Sequence, residues 1–251
     1  MRKSLAGLDP RPSVIEERLS SIGRIIPVTG GKGGIGKSVM SSCLALCLRK
    51  SGAKVGLLDL DFSSPTLHVI LGAPKGCFPK EEKGIIPPEL HGISFMSMAF
   101  YSGDRPAPLR GTDFSNAMIE LLAITRWGPL DFLIVDMPPG ITDATLDTLR
   151  LMKRAQPVLV TIPSRLALET LRRMVRMFQD LRVGTLGAVE NMCRDTNPLV
   201  REEMARLQVG YLCEVRFDPS LEGALGDPQK LLETRAVRDL EPAVNALSAL
   251  G

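Results

Sequence analysis

Residues 31–38, Gly-Lys-Gly-Gly-Ile-Gly-Lys-Ser, constrain the fold of this chain more than any other stretch, because they fit the phosphate-binding pattern G-x-x-x-x-G-K-[ST]. The preceding residues 24–29 are largely apolar and β-branched, as in a buried strand, and residues 37–51 have helical spacing. In a strand–loop–helix unit of this kind, backbone N–H groups and the positive end of the helix dipole face an anionic ligand. The pattern therefore predicts a cradle for a nucleotide's phosphates.

The cradle residues have distinct expected roles. Lys37 is predicted to reach the β- and γ-phosphates, and the Ser38 hydroxyl to ligate Mg²⁺. The whole set expected to contact the nucleotide here is Gly31, Lys32, Gly33, Gly34, Ile35, Gly36, Lys37, Ser38 and Val39.

Length and composition restrict the class of protein. A chain of 251 residues favours one large domain over two, and a net charge of +3 does not by itself imply a nucleic-acid or membrane partner. No apolar run approaches the roughly 18–20 residues that span a bilayer, and the first seven residues do not resemble a secretory signal. The chain has an odd number of cysteines, scattered along the sequence: Cys43, Cys47, Cys77, Cys193 and Cys213. This pattern is more typical of reduced thiols than of a set of disulfides, so it predicts a cytoplasmic location.

Apolar β-rich runs alternate with helical patterns along most of the chain. Strands are predicted at 24–29, 55–59, 93–98, 132–136, 158–162, 186–190 and 211–215. Helices are predicted at 37–51, 115–125, 144–153, 166–181, 199–207 and 235–249. This alternation predicts an α/β fold with a single doubly wound, mostly parallel sheet of about seven to eight strands and helices on both faces. Residues 1–20 are predicted to form an N-terminal arm or short helix, residues 21–251 the main domain, and residues 72–92 and 101–113 surface loops.

Carboxylates follow two of the predicted strands. The run 132–136 ends in Asp136, where a carboxylate is expected to bind Mg²⁺, and the run 55–59 ends in Asp59 with Asp61 just beyond it. Because side chains alternate along a strand, Asp59 and Asp61 point to the same side. Asp61 is the better candidate for orienting an attacking water, and Asp59 supports the metal or accepts hydrogen bonds from the cradle.

Together these motifs resemble the deviant Walker A ATPases, a family that includes MinD, ParA, the nitrogenase iron protein and the Mrp-type iron–sulfur cluster carriers. The resemblance lies in Lys32 and in the segments 58–61 and 135–140, and it extends over roughly residues 24–240. The Mrp branch is the most similar, on the segments 59–66, 189–192 and 217–219. This resemblance implies a slow Mg²⁺-dependent ATPase that binds ATP and ADP. It also implies a homodimer that switches between conformations and handles an iron–sulfur cluster or a client apoprotein.

The resemblance also implies roles for single residues. Lys32 is expected to reach across the dimer and touch the partner's nucleotide, which makes it a catalytic candidate beside Lys37 and Asp61. Asn191 is expected to hydrogen-bond the adenine edge. Arg216 and Phe217 lie where the family has a proline-containing loop beside the base.

The cluster-binding cysteines of the Mrp branch are incomplete here. Relatives have a Cys-x-x-Cys pair shortly after the Asn-Met segment, whereas this chain has Cys193 and then Cys213. A [4Fe–4S] cluster shared between two subunits needs two thiolates from each, so Cys193 and Cys213 are the candidate ligands. Loss or alteration of the cluster function is an open alternative.

Other functions are compatible with parts of the sequence. Arg172, Arg173 and Arg176 would allow a ParA-like positioning ATPase that binds DNA nonspecifically, although such a run is more often a solvated helix face. A MinD-like membrane switch is disfavoured because residues 241–251 contain no Lys or Arg. A regulatory ATP binder without hydrolysis or cluster also remains possible. We therefore expect neither a membrane nor a nucleic-acid partner.

Overall fold

The structure, a computed structural model, describes residues 9–102, 112–195 and 197–250. The Pro-rich stretch at 104–111, which the sequence predicted to belong to a surface loop, lies outside these ranges. The strands are β1 (Ile22–Thr29), β2 (Val55–Asp59), β3 (Lys80–Glu81), β4 (Ile85–Ile86), β5 (Glu89–Leu90), β6 (Ile93–Ser97), β7 (Leu130–Asp136), β8 (Val158–Thr161), β9 (Gly187–Cys193) and β10 (Tyr211–Arg216).

Eight of these strands form the central sheet, in the order β10-β9-β8-β1-β7-β2-β6-β5. Its strand pairs are parallel apart from β5 with β6, and β3 pairs with β4 in a small separate hairpin, as far as the described residues extend. The prediction of one mostly parallel sheet of seven to eight strands is confirmed. Since β1 lies between β7 and β8, the loop that follows it opens at the carboxyl edge, where ligands bind in folds of this kind.

Helices cover both faces of the sheet. Their bounds are α1 (Arg11–Ser20), α2 (Lys37–Lys50), α3 (Leu67–Ile70), α4 (Ala99–Ser102), α5 (Thr112–Ile124), α6 (Asp143–Leu151), α7 (Arg165–Asp180), α8 (Leu199–Arg206), α9 (Leu221–Ala224), α10 (Pro228–Glu233), α11 (Arg235–Asp239) and α12 (Glu241–Ser248). In the described part of the chain, no helix combines the length and the apolarity that crossing a bilayer requires.

Alternation along the central strands divides the core into two layers. Ile26 and Val28 of β1 pack with the α2 side, whereas Ile22 and Ile25 pack with the side that α1 and α5 cover. Strands buried on both faces read as continuous apolar runs, which is why the sequence predicted them well.

Three segments differ from the simplest interpretation of the sequence. Half of the predicted arm is helix α1, and its Ile15 and Leu19 are buried in the layer that also contains Ile22 and Ile25 of β1. The predicted loop at 72–92 contains β3, β4 and β5. The prediction of a single helix at 235–249 is wrong, because this segment divides at Leu240 into α11 and α12. Pro242 lies in the first turn of α12, where a residue without an N–H to donate is tolerated.

Candidate functional site

The loop between β1 and α2 forms an open cradle at the carboxyl edge of the sheet. Gly34 and Gly36 have φ values of 74° and 83°, in the left-handed region that favours glycine. Gly36 is also the N-cap of α2, and no side chain caps the helix there. The first N–H groups of α2 therefore lack a side-chain acceptor, and a bound anion would supply one.

Lys37 is a buried cation at the centre of this cradle. The residue is 7% exposed, and its Nζ donates to the carbonyl oxygen of Lys32 at 3.3 Å. Burial lowers the pKa of the Lys37 ammonium, while the charges of Asp136 and Asp61 act in the opposite direction. A buried ammonium is costly unless it is paired, so an anionic ligand would stabilise this arrangement.

Asp136 ends β7 beside the first turn of α2. Its Oδ1 accepts a hydrogen bond from Ser41 Oγ at 2.8 Å, and the Ser38 side chain lies near enough to the same carboxyl group to influence its pKa. Burial raises the pKa of Asp136 to about 6, although the Ser38 and Ser41 side chains and the charge of Lys37 work against that rise. The predicted metal residues Ser38 and Asp136 thus lie beside each other.

Asp59 and Asp61 lie on the other side of Asp136. Asp59 is 1% exposed; Ser97 Oγ donates to its Oδ2 at 3.2 Å, and the Asp61 N–H donates to its Oδ1 at 3.1 Å. Burial and the charge of Asp136 raise the pKa of Asp59 well above its usual value. Burial also raises the pKa of Asp61, while the hydrogen bond from the Ser64 N–H and the charge of the Lys37 ammonium act in the opposite direction. Asp61 therefore lies close enough to the cradle to interact with the charge of Lys37.

The carboxylates fit a magnesium ion that arrives with a nucleotide. Among the described residues, no three His, Cys, Asp or Glu side chains are grouped closely enough to hold a metal by themselves. Mg²⁺ usually keeps several waters and is bound through one or two carboxylates together with substrate phosphates. Ser38, Asp136 and Asp59, which the sequence predicted as Mg²⁺ ligands, would form such a partial set; that role stays a prediction.

A further loop is tied to the cradle from the β7 side. The Gly140 N–H donates to the carbonyl oxygen of Gly30 at 3.2 Å, and Thr145 Oγ1 donates to the carbonyl oxygen of Gly140 at 3.2 Å. Lys32, in contrast, is exposed in the single chain. Its side chain is therefore available to a neighbouring molecule.

Comparison with known proteins identifies the family. A family model described as ParA, the NUBPL iron-transfer P-loop NTPases, matches residues 21–224. The chain belongs to this family. The resemblance to ParA-type and Mrp-type ATPases that the motifs indicated is thereby confirmed.

Several curated relatives are named as iron–sulfur cluster carrier or assembly proteins. The iron-sulfur cluster carrier protein of Pseudomonas fragi is 42% identical over 177 residues, which are 69% of this chain and 62% of that protein. The carrier protein of Saccharolobus solfataricus is 33% identical over 235 residues, 85% of this chain and 78% of that protein. The chloroplastic Fe-S cluster assembly factor HCF101 of Arabidopsis thaliana is 39% identical over 177 residues, 70% of this chain and 33% of that protein. The chain thus spans less than two thirds of the Pseudomonas and Arabidopsis proteins.

Solved structures agree on the fold. A nucleotide-binding protein from Archaeoglobus fulgidus in complex with ADP has a TM-score of 0.74 and 29% identity, and the match covers 88% of this chain and 93% of that chain. The cell division ATPase MinD of Pyrococcus furiosus has a TM-score of 0.66 and 20% identity over 91% and 100% of the two chains. The fold of this family member is therefore that of the P-loop ATPases.

The residues expected beside the adenine base lie at the carboxyl ends of β9 and β10. Asn191 is 5% exposed, and its Nδ2 donates to the carbonyl oxygen of Ile35 in the cradle at 2.9 Å. Arg216 is engaged within the chain: its Nε donates to Asp239 Oδ2 at 2.8 Å. Phe217 is 42% exposed, and the Arg194 guanidinium lies 4.5 Å from the centre of its ring. Base contacts by Asn191, Arg216 and Phe217 stay predictions.

Cys193 and Cys213 are both buried, but the sheet does not bring them together. Cys213 pairs with Val189 across β9 and β10, whereas Cys193 pairs with Arg216. At about 3.3 Å per residue, the offset between these pairs, three residues along β10 and four along β9, separates the two positions by roughly 10–13 Å along the strands. Burial raises the pKa of both thiols, to about 12 for Cys213, and the Glu190 carboxylate raises that of Cys193 further. Their prediction as ligands of one cluster gains no support from this geometry.

Two of the arginines of α7 form ion pairs within the chain. Arg172 Nε lies 2.6 Å from Glu203 Oε1, and both Arg172 and Arg173 pair with Glu169. These ion pairs reduce the positive charge that α7 offers to a nucleic-acid backbone.

Sequence reasoning missed two hydroxyl groups of the site. Ser41 lies one helical turn after Lys37, so helical spacing alone could have suggested it. Ser97 reaches Asp59 only because β6 pairs with β2 in a register that places the two residues side by side. No local pattern in the sequence encodes that register.

Proposed function

We propose that this chain is a Mg²⁺-dependent ATP-binding protein that hydrolyses ATP slowly and, as a homodimer, couples its nucleotide state to the carrying or assembly of iron–sulfur clusters. The observation that carries the proposal is the buried Lys37 ammonium, which lies in an uncapped helix N-terminus and interacts with the charges of Asp136 and Asp61. The family membership and the ADP-bound Archaeoglobus fulgidus relative support nucleotide binding.

Each part of the site has a role in this proposal. The cradle N–H groups and Lys37 bind and orient the phosphates, because a desolvated cation and aligned dipoles stabilise negative charge. Asp61 orients the attacking water. Ser38, Asp136 and Asp59 would hold Mg²⁺, which neutralises charge on the phosphates when it is bound.

Lys32 provides the argument for a dimer. It is exposed in the single chain although it belongs to the phosphate loop. A second ammonium that arrives from a partner subunit would stabilise charge developing on the γ-phosphate, as an arginine finger does. In this proposal hydrolysis depends on dimerisation, and the dimer is the form that engages a client apoprotein.

Cluster handling is supported by the names of the relatives, with the cluster as cargo. Cys193 and Cys213 are the thiols that the sequence offers for it. The five cysteines are free thiols in the structure, which suits a reducing compartment such as the cytoplasm.

Two measurements test the proposal. Phosphate release by wild type and by Asp61→Ala separates an ATPase from a regulatory ATP binder: we expect slow release that the variant loses. Negligible release by wild type at saturating ATP would favour the binder. Anaerobic reconstitution with iron and sulfide tests the cargo, with Cys193→Ser and Cys43→Ser as matched variants; a wild type that retains no iron would remove cluster carrying.

A further inference from the structure

The side chain of Asn191 connects the end of β9 to the phosphate loop. Its Nδ2 donates to the carbonyl oxygen of Ile35, a residue 156 positions earlier in the chain. A backbone carbonyl can only accept, so the NH₂ end of the amide must face it. Because the contact is buried, breaking it would leave a polar atom unsatisfied.

The contact fixes the orientation of one peptide plane of the cradle. In a trans peptide the C=O and the following N–H point to opposite sides. A carbonyl of Ile35 that is held toward β9 therefore turns the N–H of Gly36 away from β9. Gly36 suits this position, since a Cβ there would lie only 2.4 Å from the Asn191 Nδ2.

We infer that Asn191 is a positioning residue for phosphate binding. It keeps the Ile35–Gly36 peptide from flipping, and a flipped peptide would present a carbonyl oxygen in place of an N–H donor to the phosphates. The inference rests on the proposed nucleotide binding. It differs from the adenine contact that the family resemblance implied, because it acts on the phosphate tail that every nucleoside triphosphate shares.

Two substitutions separate the hydrogen bond from simple packing. Asn191→Ala removes the donor together with the side chain. Asn191→Asp keeps the size but places a carboxylate oxygen against the Ile35 carbonyl, so it is expected to impair binding at least as strongly. Asn245→Ala is the matched control, since Asn245 is exposed on α12. Asn191→Ser replaces the alanine variant if that variant fails to fold.

The experiment is a competition assay with a fluorescent ATP analogue, in which Mg²⁺ complexes of ATP, GTP and inorganic tripolyphosphate displace the probe. We expect Asn191→Ala to bind all three competitors about tenfold more weakly than wild type does, as loss of one hydrogen bond to the loop predicts, and Asn191→Asp to bind them at least as weakly. Within each variant the factor should be the same for the three competitors. Thermal melting confirms that the variants are folded.

The possible outcomes distinguish this inference from the proposed function. A selective loss of ATP affinity, with GTP and tripolyphosphate unaffected, would overturn positioning in favour of base recognition. Unchanged affinities, or an Asn191→Asp variant that behaves like wild type, would also overturn it. A wild type that binds neither the probe nor any competitor would refute the proposed function itself.

Discussion

Asp59 and Asp136 lie directly opposite each other on the neighbouring parallel strands β2 and β7, and each is only 1% exposed. The charge of Asp136 adds to burial in raising the pKa of Asp59. Two adjacent buried carboxylates are electrostatically unfavourable in the free protein, and a bound cation would relieve that repulsion. The site is therefore arranged for ligands rather than for stability.

The first prediction concerns Lys37. Lys37→Met keeps the apolar stem but removes the ammonium, so we expect ATP to bind at least about tenfold more weakly. Burial outweighs the nearby carboxylates and lowers the pKa of the Lys37 ammonium, so folding disfavours this charge and the melting temperature of the nucleotide-free variant should not fall below that of wild type. Calorimetry and thermal melting measure the two effects, with Lys50→Met at the exposed end of α2 as the control. Unchanged ATP affinity would contradict the assigned role.

The second prediction concerns Lys32 and dimerisation. Lys32→Ala should bind ATP as wild type does but hydrolyse it at least about tenfold more slowly, because the exposed ammonium acts on a partner's nucleotide. Wild-type turnover per protomer should rise with protein concentration, whereas that of the variant should stay low throughout. Phosphate release over a dilution series measures both, and Lys54→Ala serves as the control. Wild-type turnover in Lys32→Ala would refute the idea.

Much of the fold and part of the site could be predicted from local sequence. The strands buried on both faces gave clear apolar runs, and Lys37, Asp59 and Asp136 converge because each follows or ends one of three neighbouring strands, β1, β2 and β7. The edge strand β5 has only two residues and is too short to produce a pattern. The Ser97–Asp59 contact depends on the register of two strands, and the Asn191–Ile35 contact on the approach of β9 to a loop far away in the sequence; no local pattern encodes either.

The third prediction is the order in which the cysteines react. Burial raises the pKa of Cys193 and Cys213, so few thiolates are present and access is poor; the same holds for Cys43 in the core. Cys77, which is less buried, should be alkylated first in the native protein. Mass spectrometry after timed iodoacetamide treatment, with and without denaturant, gives the order. Rapid native labelling of Cys193 would show that its thiol is more accessible than this structure has it.

The fourth prediction uses the pKa of Asp136, which burial raises to about 6 in the folded protein from the usual 3.8. Between these two pH values the folded state binds more protons than the unfolded state, so this group makes the nucleotide-free protein less stable as the pH rises from about 4 to 6. The destabilisation is complete above that range and is on the order of 3 kcal/mol.

Asp136→Asn removes that titration while its amide oxygen can still accept from Ser41. We therefore expect the variant to be more stable than wild type at pH 7.5, and the difference to shrink as the pH falls through 6 toward 4. Urea unfolding without nucleotide or Mg²⁺ at a series of pH values measures it, and Asp131→Asn, at the opposite end of β7, controls for the loss of one charge. A stability difference that stays constant with pH would mean that Asp136 is already ionised without strain, because hydrogen bonds then compensate fully for its burial.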